Sequence, residues 1–198
     1  MKKSILRSFL GFTLIELLVV ISIIGILASL AIPAVTGALV KGQMTAQLSN
    51  LKQLHLATYS MAVDGATTGD TSMGWPGNGT WSSWSTGLVN GKFMTLSEFN
   101  KMLSAPGRTV AADNAVGTKP TTSAVSAYKV GEDSESTTVF LSSANFDASA
   151  PKPAAPSATA LPFGNKGFVI FRKGGDGVVL KESQATNTNL IGLPAGAL

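Results

Sequence analysis

The chain has 198 residues, of which 44% are hydrophobic and 13% charged, a globular rather than disordered composition with room for one modest domain and an additional element. Cysteine is absent, which excludes a disulfide framework, a zinc–thiolate site and a thiol nucleophile. The formal charge of +4 includes Lys2, Lys3 and Arg7; without them twelve basic residues face eleven acidic ones, so no basic surface for nucleic acid is expected on the folded domain.

Chain order begins with that basic leader, followed by residues 17–40, a run of 24 without a charge. As a helix rising ~1.5 Å per residue it covers about 36 Å, enough for a hydrocarbon core of ~30 Å. The cations lie on its N-terminal side, which keeps that end cytoplasmic and places the following domain across the membrane. A cleaved secretory signal would have a shorter apolar core and a better small-residue site than residues 28–31 offer, and a plain anchor has no use for a carboxylate. Glu16 sits at the start of this run, and an acid at membrane depth is costly unless it has a partner.

The sequence KKSILRSFLGFTLIELLVVISIIGILASLAIP, with its basic leader, Gly11, Phe12, Glu16 and apolar helix, resembles the N-terminus of type IV pilins and of the pseudopilins of type II secretion. The resemblance is strong over about the first 60 residues and weaker beyond. It implies that a prepilin peptidase removes residues 1–11 by cutting Gly11–Phe12 and then methylates the new amine of Phe12. It also implies that Glu16 pairs with the Phe12 amine of a neighbouring subunit as a helical filament assembles. Opposite charges attract more strongly as their surroundings dry, and a wrong register would leave both unpaired. Gly11 suits the cut because glycine takes an extended conformation with no side chain to obstruct a protease.

Pro33 falls inside the apolar segment and removes a backbone hydrogen bond to the carbonyl of Ser29; Gly25 and Gly37 weaken the same region. A kinked membrane helix is expected in the free subunit. By resemblance to pilins, residues 25–37 loosen when subunits pack into a filament.

The helical pattern continues past the membrane. Met44, Leu48, Leu51, His55, Tyr59 and Ala62 recur at three- and four-residue spacing, with Ser49, Gln53 and Ser60 opposite, and Asp64-Gly65 reads as a stop. One helix over residues 12–63 follows, with a head domain at residues 64–198. His55, the single histidine, is read as a packed core residue rather than a metal ligand. Leu56 points away from the stripe, toward a neighbouring subunit.

Residues 65–91 read as a long irregular connection whose Trp75, Trp81 and Trp84 either pin it to the body or form a flat surface for a sugar or another ligand. Thr95 and Glu98 form a capping box for a short helix ending at Pro106-Gly107. Strands are expected over residues 123–130, 137–142, 167–172 and 178–181, the last two as a hairpin, in an antiparallel meander laid on the helix stripe. Residues 147–162 read as an exposed Pro- and Ala-rich loop, and residues 131–135 as a solvated turn.

The fold class is therefore α+β, a long N-terminal helix packed against a small antiparallel sheet. No metal site is predicted and no cofactor is required. Some pseudopilins hold calcium in an acidic C-terminal loop, but Asp176 is nearly alone in its turn, where calcium wants ~6–8 oxygens. The leading functional expectation is a type II secretion pseudopilus subunit, favoured over a type IV pilus pilin by the missing cysteine pair. By resemblance, its partners are other copies of the chain, prepilin peptidase, an inner-membrane assembly platform and minor pseudopilins. Its expected location is the bacterial inner membrane, then a periplasmic or extracellular filament. A membrane-anchored binding module using the tryptophan loop is the reading from another class. No catalytic constellation supports an enzyme.

Overall fold

In a computed structural model, residues 12–77, 79–148, 153–187, 191–194 and 196–198 are described. The chain divides into two compact units, one ending at Leu39 and the other comprising Val40–Leu198.

The first helix, α1, runs Leu14–Thr68. In the first unit, from Phe12 through Thr36, every residue is exposed, in keeping with side chains that are apolar around the full circumference. Pro33 lies inside the helix. Nearby hydroxyls turn back on the ladder: Ser29 donates to the Ile26 carbonyl at 2.7 Å and Thr36 to the Pro33 carbonyl at 3.0 Å.

In the second unit the buried face of α1 is Met44, Gln47, Leu51, Leu54, His55, Ala57, Thr58, Met61, Ala62 and Gly65. The sequence places Leu48 and Tyr59 on this stripe, but Leu48 is half-buried and Tyr59 is 52% exposed. The true stripe passes through Gln47 and Thr58, polar residues that a hydropathy pattern skips. Ser49, Gln53, Ser60 and Leu56 are exposed, as expected. Asp64-Gly65 does not stop the helix. Gly65 is buried there because a Cβ would lie 2.2 Å from the Met73 carbonyl oxygen, so the chain doubles back against a helix face that needs glycine for close approach.

Residues 65–91 are also more regular than expected. Helix α2, Trp81–Asn90, starts at a capping box of Thr80 and Ser83 and buries Trp81, Trp84 and Leu88. Helix α3, Leu96–Met102, starts at the Thr95–Glu98 box read from the sequence.

Four strands follow: β1 (Val125–Ala127), β2 (Val139–Ser143), β3 (Phe168–Arg172) and β4 (Gly177–Leu180). They pair antiparallel in the order β1-β2-β3-β4, the expected meander. In the β3–β4 turn Arg172 N–H donates to the Asp176 carbonyl at 2.9 Å and Gly175 takes φ 91°, which favours glycine. Residues 196–198 pair along the other side of β1 through Lys129 N–H to Gly196 O and Leu198 N–H to Ala127 O.

The sheet is covered on both faces, so β2 and most of β3 are buried along their whole length. Val169 and Phe171 face a core with Leu51, Leu54, Met61, Trp84 and Phe99; Phe168 and Ile170 face a second cluster with Tyr128, Phe146, Ala185 and Ile191. The Pro- and Ala-rich segment is not simply exposed: Ala148, Pro153 and Pro156 are buried, and residues 149–152 lie outside the described residues.

The α+β class is thus observed, with the later part of α1 and the antiparallel sheet sharing one core.

Candidate functional site: the N-terminal end of helix α1

Thr13 and Glu16 close a capping box around the first turn of α1. The Thr13 N–H donates to Glu16 Oε2 at 2.8 Å and its hydroxyl donates to the same oxygen at 2.6 Å. Glu16 N–H in turn donates to Thr13 Oγ1 at 3.3 Å. The helix end therefore supplies donors to the carboxylate, and its positive dipole end lies beside it. The sequence carried this signal as Thr13-Leu14-Ile15-Glu16, an S/T-x-x-E pattern overlooked beside the apolar run. Both Thr13 donors use Oε2.

Phe12 is 78% exposed, directly before Thr13. Gly11 and the rest of the leader lie outside the described residues. Gly25 and Gly37 have no atoms within 4 Å of a Cβ position, so neither is required by close packing in the unit that ends at Leu39. Among the described residues, one helix is long and apolar enough to cross a membrane, and its apolar window is unburied.

The other residues singled out from the sequence lie in the second unit. His55 is buried against Phe171 and Phe140, with Nε2 2.8 Å from the Lys173 carbonyl oxygen. Trp81 and Trp84 are core pins, packed edge to face at 5.2 Å. Only Trp75 keeps a partly open surface. Asp176 forms an ion pair with Arg172, and among the described residues no three His, Cys, Asp or Glu side chains converge as metal ligands would.

The family model for the prokaryotic N-terminal methylation motif matches residues 6–32. Among curated proteins, the type IV major fimbrial protein FimA of Dichelobacter nodosus is 40% identical over 68 residues, 34% of this chain and 44% of FimA. A probable minor fimbrial protein of the same organism is 45% identical over 58 residues, 29% of this chain and 36% of its own. A fimbrial protein of Pseudomonas aeruginosa is 44% identical over 55 residues, 28% of this chain and 36% of that protein. The chain thus spans less than half the length of these curated relatives. No solved structure matches it.

The chain thus combines an apolar N-terminal helix that carries the methylation motif with a small α+β unit after it. Over its N-terminal third, the chain is similar to type IV fimbrial proteins.

Proposed function

We propose that this chain is a structural subunit of a type IV pilus. It is cut at Gly11–Phe12 by prepilin peptidase, methylated on the Phe12 amine, held in the inner membrane by the first part of α1, and then polymerised. The observation that carries this reading is the extent of the match to fimbrial proteins. Identity with FimA runs over 68 residues, whereas the methylation motif spans residues 6–32. A processing signal alone would serve a pilin and a secretion pseudopilin equally; a likeness more than twice as long, to proteins named as fimbrial, supports the pilus reading that the sequence ranked second.

In this scheme Glu16 accepts the methylated Phe12 amine of an adjacent subunit. The capping box supports that role, because Thr13 occupies one carboxylate oxygen and holds the side chain at the helix start. Residues 25–37, with Gly25 and Pro33, loosen as copies close around one another. An inner-membrane assembly platform and minor subunits complete the set of partners.

Two measurements test the proposal. Intact mass of the mature chain should correspond to a polypeptide starting at methylated Phe12; a retained leader contradicts it. A deletion strain should lose surface fibres while extracellular enzymes are still released. Loss of released enzymes with fibres intact would assign the chain to secretion instead.

A further inference from the structure

A second site of a different kind lies in the Val40–Leu198 unit. Its floor is aromatic: Tyr59 and Trp75 meet at 62° with centroids 6.5 Å apart, and the His55 ring lies 5.5 Å from Trp75. Its walls are the 132–136 turn and the Lys173-Gly174 turn, enclosing a cleft of about 530 Å³. That volume falls within the ~300–1,000 Å³ typical of small-molecule sites.

The walls are built rather than loose. Lys173 Nζ donates to the carbonyls of Glu132 and Ser134, the latter at 2.9 Å, and Gly174 N–H donates to Ser136 O at 2.8 Å. His55 fixes the same turn to α1 through the Lys173 carbonyl. Four polar groups at the cleft are left without a partner among the described residues: the Tyr59 hydroxyl, the Trp75 indole N–H, the Ser136 hydroxyl and the Glu132 carboxylate.

We propose that this cleft binds a neutral saccharide of about one or two sugar rings. Sugar rings present C–H faces to aromatic surfaces and a rim of hydroxyls that both donate and accept; the cleft offers an aromatic floor with donors and acceptors around it. An anionic ligand would find one ammonium, already held by two carbonyls and 5.8 Å from the Trp75 ring. A cationic ligand would find a single exposed carboxylate. A lipid chain would bury the unpartnered hydroxyls and carboxylate without hydrogen bonds. The site does not depend on filament formation, so it stands or falls apart from the fimbrial role.

The test uses the full mature chain in a detergent without a sugar headgroup, titrated separately with lactose, cellobiose and diacetylchitobiose. Iodide quenching of tryptophan fluorescence reports on Trp75, since Trp81 and Trp84 are 5% and 2% exposed. At least one probe should saturate with a Kd in the range of roughly 0.1–10 mM and shield Trp75 from iodide. Exposed Glu132→Gln and Ser136→Ala should each weaken that probe, the former about tenfold, without moving the thermal transition. Trp75→Phe, which removes the fluorescent reporter and is therefore titrated by calorimetry, should weaken it further. No saturation by roughly 50 mM for any of the three, binding only of sialyllactose or a sulfated disaccharide, or full affinity in both exposed variants would overturn the proposal.

Discussion

Thr13 and Glu16 share one helix turn, and two Thr13 donors converge on a single Glu16 oxygen at 2.6 and 2.8 Å. The acid at the start of the apolar segment therefore has a local role as a cap, separable from its charge.

That separation gives a prediction. Glu16→Gln keeps an acceptor for the Thr13 cap but removes the charge, whereas Thr13→Val keeps the charge and removes the hydroxyl. Glu16→Gln and Glu16→Ala should both be processed normally, with sheared-filament yield reduced about tenfold or more, since an uncompensated amine remains at each contact. Thr13→Val should assemble at a smaller deficit. Wild-type yield from Glu16→Gln would assign the residue to capping alone.

Inside the head, the Trp84 indole N–H donates to Thr58 Oγ1 at 3.0 Å, and Thr58 donates to the Leu54 carbonyl at 2.9 Å. Both residues are fully buried. Thr58→Val preserves shape but strands the indole donor, at a cost of about 1–3 kcal/mol. Denaturant unfolding of the full chain in detergent should show it, while Thr58→Ser should recover most of the loss.

These two sites mark what the sequence made legible. The apolar run, the methylation motif, the α3 box and the β3–β4 hairpin were readable because each rests on local chemistry: charge placement, capping and turn residues. Helix α2 was missed because Ser, Thr and Gly fill it. Its real signals were Trp81, Trp84 and Leu88 on one face and a serine at the position where a capping box usually has Glu. The phase of the α1 stripe was misread because Gln47 and Thr58 are buried by tertiary packing, which no periodicity of hydrophobic residues reports. The two-sided burial of the sheet likewise depends on distant segments such as Phe146 and Ile191.

Tyr128 provides a pH signature. Its hydroxyl lies 2.9 Å from Ser142 Oγ, donates to the Phe146 carbonyl and accepts from Ala148 N–H at 2.9 Å. Burial pushes its pKa up from 10.0 to about 12. The folded chain thus retains a proton that the unfolded chain loses, so this contribution is complete below pH 10.0 and falls as pH rises toward about 12. The full loss is roughly 3 kcal/mol. Tyr128→Phe should be less stable at neutral pH, but the fall between pH 10 and 12 should be shallower than in the wild type.

His55 acts at the other end of the scale. Burial lowers its pKa below 6.5, opposed by the Lys173 carbonyl and by Asp176. The unfolded chain takes up its proton first, so the contribution is present above pH 6.5 and declines as pH falls below it. Tyr59 on α1, Glu132 in the facing turn, and Lys173 and Asp176 in the β3–β4 turn are the other ionisable groups nearby. His55→Gln keeps a donor for the Lys173 carbonyl and should flatten the acid limb of the thermal-stability profile. An unchanged acid limb would mean that another group controls it.

The most direct measurement is a cryo-EM reconstruction of filaments assembled from this chain, at a resolution that separates side chains. The proposed assembly requires a methylated Phe12 amine within about 4 Å of a Glu16 carboxylate on an adjacent subunit. Filaments in which those two groups lie far apart, or whose subunits still begin at Met1, would contradict it.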